Sequence, residues 1–281
     1  MISATIILLI ISAISTLLTL RNRAAFSRFS FQPHRVLRDK EYGRLVTAGF
    51  LHVNWMHFAM NAFSLYSFGP SLEWNFGMGT FLLVFLGSVV GGNLLALYLH
   101  RNHAYCAVGA SGGVCGVIFA VIFLVPGMRV SMFLVPIYIP AWIYAIGFLA
   151  YSYFGIRNKR DNIGHDAHFG GALIGVLIAL ALYPSIVLQQ PELLVGVVGL
   201  GVVLLFFVSK DPTVSAGRIS TWGEESHQSN IRYQQYDDNK RKRQEEAQID
   251  ALLEKISQRG LPSLSASELE KLEAYSAQKR R

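Results

Sequence analysis

The sequence predicts an all-α protein that crosses a membrane several times. Hydrophobic residues make up 52% of the 281 residues and the mean hydropathy is +0.36. Charged residues make up only 15%, whereas soluble domains average about 25%. The apolar residues form long continuous runs rich in Leu, Ile and Gly rather than alternating with polar ones, which favours helices over a membrane barrel. These observations exclude an ordinary soluble globular protein.

The apolar runs have the length of transmembrane helices, which need about 20 residues. We place them at residues 2–20, 51–70, 78–100, 108–127, 134–155, 166–185 and 191–209. The first run lacks the basic start and the small-residue cleavage site of a signal peptide, so we expect it to be a retained span. We therefore expect a six-helix membrane core over residues 1–189, a seventh transmembrane helix over 190–209 and a charged tail over 210–281. A bacterial plasma membrane is the expected location.

The segment between the first two runs, residues 21–44, is basic and aromatic, so we expect it to lie at the membrane interface. A net charge of +7 would suggest nucleic acid in a soluble protein. Beside apolar spans, basic residues instead serve orientation and contacts with lipid headgroups, and no nucleic-acid partner is expected. The cysteines, Cys106 and Cys115, imply no disulfide framework.

The tail contains two predicted helices. Ile249, Leu252, Leu253 and Ile256 fall at helical spacing, and Gly260 with Pro262 should end that helix. Ser265 followed by Glu268 predicts a capping box at the start of a final helix. The pair is expected to be a solvated module that docks on an unknown partner, and binding to the membrane surface is the alternative.

Residues with catalytic chemistry lie inside or beside the apolar runs. Ser111, in Gly109-Ala-Ser-Gly-Gly113, is a candidate nucleophile, and His168 is a candidate base. The serine motif also fits the nucleophile elbow of α/β hydrolases, but the strand-helix alternation which that fold requires is missing. Gly112 with Gly116, and Gly171 with Gly175, form two small-residue faces suited to close helix packing. If these faces meet, Ser111 and His168 can come within hydrogen-bond reach.

The oxyanion formed in acyl transfer needs fixed hydrogen-bond donors. His57 and Asn61 are four residues apart, lie on one helix face and offer an imidazole and an amide. The backbone N–H of Ser111 is a further candidate donor. Asp166 lies two residues before His168 and so points to another face, which leaves no obvious acid to orient the imidazole.

A metal site is the competing interpretation of the histidines. The candidate ligands are His52, His57, His165 and His168. The spans contain no His-Glu-x-x-His motif, no thiolate pair and no carboxylate cluster, which argues against a metal enzyme or transporter.

The pattern resembles that of the rhomboid intramembrane serine proteases over about residues 44–175. Five motifs stand in the order of that family: Arg44-Leu-Val-Thr47-Ala-Gly-Phe-Leu-His52, His57-Phe-Ala-Met-Asn61, Phe68-Gly-Pro-Ser-Leu-Glu73, Gly109-Ala-Ser-Gly112 and Ala167-His168-Phe-Gly-Gly171-Ala-Leu-Ile-Gly175.

The resemblance implies Ser111 as nucleophile, His168 rather than His165 as general base, and His57 with Asn61 lining the oxyanion site. It implies single-span transmembrane proteins in the lipid bilayer as substrates, and no cofactor. It also implies that residues 21–44 form the family's partly embedded first loop, supported by Arg44 and Glu73. Inactive relatives keep the fold without the dyad, so an inactive membrane-protein binding scaffold is the alternative function.

Two departures from the family pattern stand near these motifs. Cys115 occupies a position, four residues after Ser111, where many relatives carry an aromatic residue that stacks on the catalytic histidine. Gly43 stands where tryptophan is common.

The two indications of membrane orientation disagree. The positive-inside rule places residues 21–44 in the cytoplasm, whereas the common six-span members of the family place this loop and the active-site mouth outside. Charge in an embedded loop is weaker evidence, so we adopt the family orientation for the core.

Overall fold

The computed structural model describes residues 3–102, 105–131, 138–158, 163–211 and 248–279. The chain divides into two compact units, Met1–Gly223 and Glu224–Arg281, and each is described by itself.

The first unit is built from helices. In chain order they are α1 (Ala4–Arg21), α2 (Arg23–Phe29), α3 (Pro33–Arg38), α4 (Arg44–Thr47), α5 (Trp55–Phe76), α6 (Met78–His100), α7 (Ser111–Leu124), α8 (Ala141–Asn158), α9 (His165–Leu182), α10 (Pro184–Val187) and α11 (Pro191–Lys210). A 3₁₀ helix, Ala48–Phe50, precedes α5.

Each of the seven predicted spans contains one long helix, and the all-α, multi-pass fold class is confirmed. By length and composition α1, α6, α9 and α11 can each cross a membrane. Helix α7 is apolar but has only 14 residues, fewer than the predicted run of 108–127. Residues Gly112 to Leu124 are all buried, so α7 is surrounded by protein and need not match the thickness of the bilayer.

Helices α6, α7 and α9 pack against one another at the centre of this unit. The two predicted glycine faces meet there. A Cβ atom on Gly171 would overlap the backbone of Gly112, and one on Gly175 would lie 2.6 Å from the Cα atom of Gly116. Side chains larger than hydrogen would hold α7 and α9 apart, so these glycines allow the helices to touch through their backbones.

Glu73, in α5, anchors the start of α1. Its carboxylate accepts hydrogen bonds from the Ser3 hydroxyl at 2.7 Å, from the Ala4 N–H at 2.6 Å, and from the Thr5 N–H and hydroxyl at 3.0 and 2.8 Å. The first N–H groups of a helix have no partner within the helix, and a carboxylate also complements the helix dipole. Glu73 therefore joins two spans that are far apart in sequence.

Arg44 holds the first loop. Its guanidinium donates to the backbone carbonyls of Ser27 and Ser30 at 2.6 and 2.7 Å and pairs with Glu41. Phe31, in the same loop, forms an antiparallel bridge with Ala107, which lies just before Ser111. The loop is thereby tied to the segment that leads into α7.

A short hairpin between α7 and α8 was not predicted. Strands β1 (Arg129–Ser131) and β2 (Tyr138–Pro140) pair antiparallel, with Val130 opposite Ile139. The uncharged run 134–155 was predicted to be a single span, because continuous apolar residues do not show where a strand ends and a helix begins. In the structure β2 occupies part of this run and α8 begins only at Ala141.

The last span packs on the core. Helix α11 lies against α8, and Arg157 at the end of α8 donates to Asp211 just after α11, with Nε and Oδ2 2.9 Å apart.

The second unit contains the two predicted tail helices. Helix α12 covers residues 248–259 and ends at Gly260, whose φ of 77° lies in the left-handed region that glycine favours. Helix α13 (Ala266–Lys279) begins with the predicted capping box. Glu268 accepts from the Ser265 N–H at 2.7 Å, and Ser265 Oγ accepts from the Glu268 N–H at 3.4 Å. The capping-box prediction is therefore confirmed.

Candidate active site

A cavity of about 390 Å³ lies in the first unit between α5, α7, α8 and α9. Four polar residues singled out in the sequence line it: His57, Asn61, Ser111 and His168. They come from three helices, so the bundle brings together residues that are up to 111 positions apart. The remaining wall is largely apolar, as is usual for binding cavities.

Ser111 is the first residue of α7, not an interior residue of a span. Its hydroxyl therefore lies at the N-terminal end of the helix, where the backbone N–H groups have no partners within the helix and the dipole favours negative charge. A nucleophile that generates an oxyanion benefits from both properties.

The loop before Ser111 requires glycine at position 109. Gly109 has a φ of +136°, which other residues rarely adopt. The place of its missing Cβ atom is also taken, since that point lies 2.9 Å from His57 Nε2 and 3.5 Å from Ser111 Oγ. Gly109 thus lets the imidazole of His57 approach the serine hydroxyl.

Of the two histidines at the start of α9, only His168 lines the cavity in the part of the chain that the structure describes. His165 is 2% exposed and lies against α8, where a Cβ atom on Gly155 would overlap its ring and Tyr151 meets it edge-on with the centroids 4.9 Å apart. The geometry therefore favours His168 as the residue available to chemistry.

His57 and Asn61 present two donor groups on one face of α5. The Asn61 Nδ2 atom donates to the His57 carbonyl at 2.9 Å, which uses one N–H of the amide and fixes its direction. The His57 N–H donates to Asn54 Oδ1 at 2.8 Å, so Asn54 caps the helix directly below the site. His52 lies behind His57, with ring centroids 5.0 Å apart, and its Nδ1 is 2.9 Å from Thr16 Oγ1.

Asp166 has a supporting position that the sequence did not reveal. Its carboxylate pairs with His100 at the end of α6 and accepts from the Tyr105 hydroxyl at 3.0 Å. The rings of His100 and Tyr105 stack with centroids 3.8 Å apart. This buried cluster connects α6, the loop before Ser111 and the start of α9, and so fixes the two segments that carry Ser111 and His168.

Aromatic residues of α8 complete the wall, and sequence reasoning missed them. Tyr144, Phe148 and Tyr151 line the cavity beside His168 and Cys115. Their spacing of three and four residues places them on one face of α8, but aromatic stripes of this kind also occur on lipid-facing helices. Nothing in the sequence distinguished an aromatic face that lines a cavity from one that faces lipid.

Among the described residues, no group of three or more His, Cys, Asp or Glu side chains could hold a metal ion.

Comparison with known families gives two matches. A model described as Rhomboid domain matches residues 39–185, which is more than half of the chain. A family of unknown function (DUF6576) matches residues 234–278 in the tail.

Curated relatives of similar sequence carry rhomboid names. The chain is 28% identical over 137 residues to "Rhomboid protein 1, mitochondrial" of Saccharomyces cerevisiae, covering 47% of this chain and 40% of that protein. It is 28% identical over 161 residues to "Rhomboid protease GluP" of Bacillus subtilis, covering 57% and 30%. It is 34% identical over 160 residues to "Rhomboid-like protein 11, chloroplastic" of Arabidopsis thaliana, covering 52% and 55%. The chain thus spans about half or less of the length of these relatives.

Proposed function

The chain belongs to the rhomboid family, and from this membership together with the geometry of the cavity we propose that it is an intramembrane serine endopeptidase. Its substrates are transmembrane segments of other membrane proteins, above all single-span helices. The observation that carries the proposal is that Ser111, His168, His57 and Asn61 line one cavity within a bundle of membrane-spanning helices. Polar side chains are rare within bundles of apolar helices in a membrane, and a cluster of them around one cavity is therefore expected to have a function.

The reaction follows the logic of a serine-histidine dyad. His168 accepts the proton of the Ser111 hydroxyl while Oγ attacks the carbonyl carbon of the scissile peptide bond. The carbonyl oxygen becomes an oxyanion, which the side chains of His57 and Asn61 and the N-terminal N–H groups of α7 stabilise. His168 then gives its proton to the leaving amine, and an acyl group remains on Ser111. Water, deprotonated by His168, hydrolyses this ester and restores the serine.

The site lies among membrane-spanning helices, but its chemistry requires water. The cavity is bordered by the start of α7, by the loop before it and by the start of α9. The site therefore lies at the ends of helices rather than at their middle, which is where water can enter. A substrate helix must unwind locally to expose a carbonyl to Ser111, so segments with small or helix-weakening residues are the preferred substrates.

The protein is a multi-pass integral membrane protein. Two of its relatives are named mitochondrial and chloroplastic and a third comes from a bacterium, so the relatives do not favour the bacterial plasma membrane over the other locations. The bacterial location stays a prediction.

The decisive experiment compares cleavage of a single-span substrate in liposomes by the native chain, Ser111→Ala, His168→Ala and His165→Ala. Labelling by a fluorophosphonate is measured on the same samples. We expect cleavage and labelling to disappear in Ser111→Ala, cleavage to disappear in His168→Ala, and His165→Ala to cleave if it folds. Thermal unfolding in detergent shows whether each variant is folded.

Three results would contradict the proposal. A folded native chain that neither cleaves nor reacts with the fluorophosphonate would favour the inactive binding scaffold. Cleavage that survives in Ser111→Ala, or that a chelator abolishes, would exclude Ser111 chemistry of this kind.

A further inference from the structure

Helix α8 supplies an aromatic ring to the imidazole of His168. The ring centroids of Phe148 and His168 are 6.5 Å apart and their planes are inclined by 28°. This distance lies within the range of interacting aromatic pairs, about 4.5–7 Å. Both residues line the same cavity although they stand on different helices.

The Phe148 ring is itself held by two neighbours. Tyr144, one turn earlier on α8, stacks on it with centroids 5.9 Å apart and planes at 22°. Phe119 of α7, which is fully buried, meets it edge-on at 5.5 Å and 60°. Contacts from two helices thus restrict the movement of the Phe148 ring.

Helix α7 contributes only a small side chain at this part of the wall. Cys115 lies one turn after Ser111 and lines the cavity together with Phe148. A thiol has no flat face to offer an imidazole. The ring that lies roughly parallel to the His168 imidazole therefore comes from α8, whereas the His165 ring on α9 meets the imidazole edge-on, with centroids 6.1 Å apart.

We propose that Phe148 is a positioning residue for His168, an inference that rests on the proposed function. The terminal torsion of a histidine side chain has a broad energy minimum, so an imidazole needs neighbours to fix its plane. Stacking on Phe148 fixes that plane, so that one ring nitrogen can be presented to the Ser111 hydroxyl when the proton is transferred.

The test compares the native chain with Phe148→Leu, Phe148→Tyr and Phe154→Leu in liposomes with a single-span substrate. Leucine keeps an apolar side chain but removes the ring, tyrosine keeps the ring, and Phe154 is a control on the same helix that is 57% exposed. The measured quantities are kcat, KM, the rate of fluorophosphonate labelling and the midpoint of thermal unfolding.

We expect Phe148→Leu to lower kcat and the labelling rate roughly tenfold, which is the effect of losing one aromatic contact in the transition state. KM and the unfolding midpoint should stay close to native. Phe148→Tyr should retain most of the native rate, and Phe154→Leu should be indistinguishable from native.

If the native chain is active, three results would overturn the inference. Native kcat in Phe148→Leu would show that the ring is dispensable. An equal loss of kcat in Phe148→Tyr would show that the ring is not what matters, and a loss that parallels the unfolding midpoint would show that Phe148 acts only in packing. A folded native chain without cleavage or labelling would overturn the proposed function and this inference together, whereas an active native chain with an active Phe148→Leu would overturn this inference alone.

Discussion

Two neighbouring residues of the site, Ser111 and Gly109, meet different requirements, since the serine supplies the reactive hydroxyl and the glycine allows the backbone conformation beside it. Ser111 was predicted from its motif, but its position as the first residue of α7 became visible only in the structure. Gly109 illustrates why the motif needs glycine, since its backbone is left-handed and the ring of His57 occupies the space of a Cβ atom. The roles of Ser111 and His168 stay a prediction, and the experiment on the dyad tests them.

Glu268 provides a prediction about pH in the tail. Hydrogen bonds from the Ser265 N–H, from Lys255 and from the Ser265 hydroxyl lower the pKa of Glu268 from 4.5 to about 2. Because the folded pKa is depressed, the contribution of this carboxylate to helix stability is fully present above about pH 4.5 and is lost as the pH falls towards 2. Glu268 is partly exposed, with 30% of its side-chain surface accessible, so solvent screening keeps the effect modest and local.

Hydrogen exchange of the full chain, compared with Glu268→Gln at each pH, measures this effect. At pH 7 the variant should lose protection at the start of α13, and the difference from native should vanish towards pH 2. Glu254→Gln, an exposed change in α12, serves as the control and should exchange like native. A difference between native and Glu268→Gln that is the same at every pH would contradict the prediction.

At the scale of elements, contact between α7 and α9 decides whether the site can form. The predicted glycine faces meet backbone to backbone, and this contact brings the start of α7 close to the start of α9. The sequence indicated both glycine faces, but only the structure showed that they contact each other. Helix α6 is also close, since its Ser88 fills the space beside Gly116.

Gly175→Ala tests this contact. The new methyl group would lie 2.6 Å from the Cα atom of Gly116, and a backbone atom cannot move aside as a side chain can. We expect a loss of about 1–3 kcal/mol in the free energy of unfolding, together with reduced cleavage because Ser111 and His168 move apart. Unfolding in a detergent titration measures the first effect, and the liposome assay the second.

Gly147→Ala is the matched control. Gly147 also lies in a helix, but nothing is within 4 Å of the place of its Cβ atom, so alanine should be neutral or slightly stabilising. Equal stability of Gly175→Ala and Gly147→Ala would show that the α7–α9 contact does not depend on glycine.

At the scale of the whole molecule, the chain joins two family segments. The Rhomboid match ends at residue 185 and the tail match begins at 234. We propose that the functional division follows the boundaries predicted from composition: a membrane core over 1–189, a seventh transmembrane helix over 190–209 and a tail over 210–281. Within the part of the chain that the structure describes, the residues that line the cavity lie between Ala48 and His168 and so belong to the first compact unit.

Removal of residues 224–281 tests this division. Because none of the described residues that line the cavity belongs to this segment, we expect the shortened protein to react with a fluorophosphonate at the native rate and to cleave a generic single-span substrate. A full-length variant with Ser111→Ala serves as the inactive control. Loss of labelling in a shortened protein that is still folded would show that the tail is needed for the chemistry.

Features that depend on neighbouring residues could be predicted from the amino-acid sequence. The long apolar runs identified the spans, the offset of four residues placed His57 with Asn61, and the capping box located the start of α13. These features are local, since hydrophobic length, helical periodicity and capping act over a few turns of chain.

The tertiary structure alone decided the features that depend on distant residues. It placed Phe148 against His168, paired Asp166 with His100 across 66 positions, and began α7 at Ser111. These contacts depend on which helix faces meet. That choice is made by the packing of the whole bundle and leaves no pattern in the sequence of any one element.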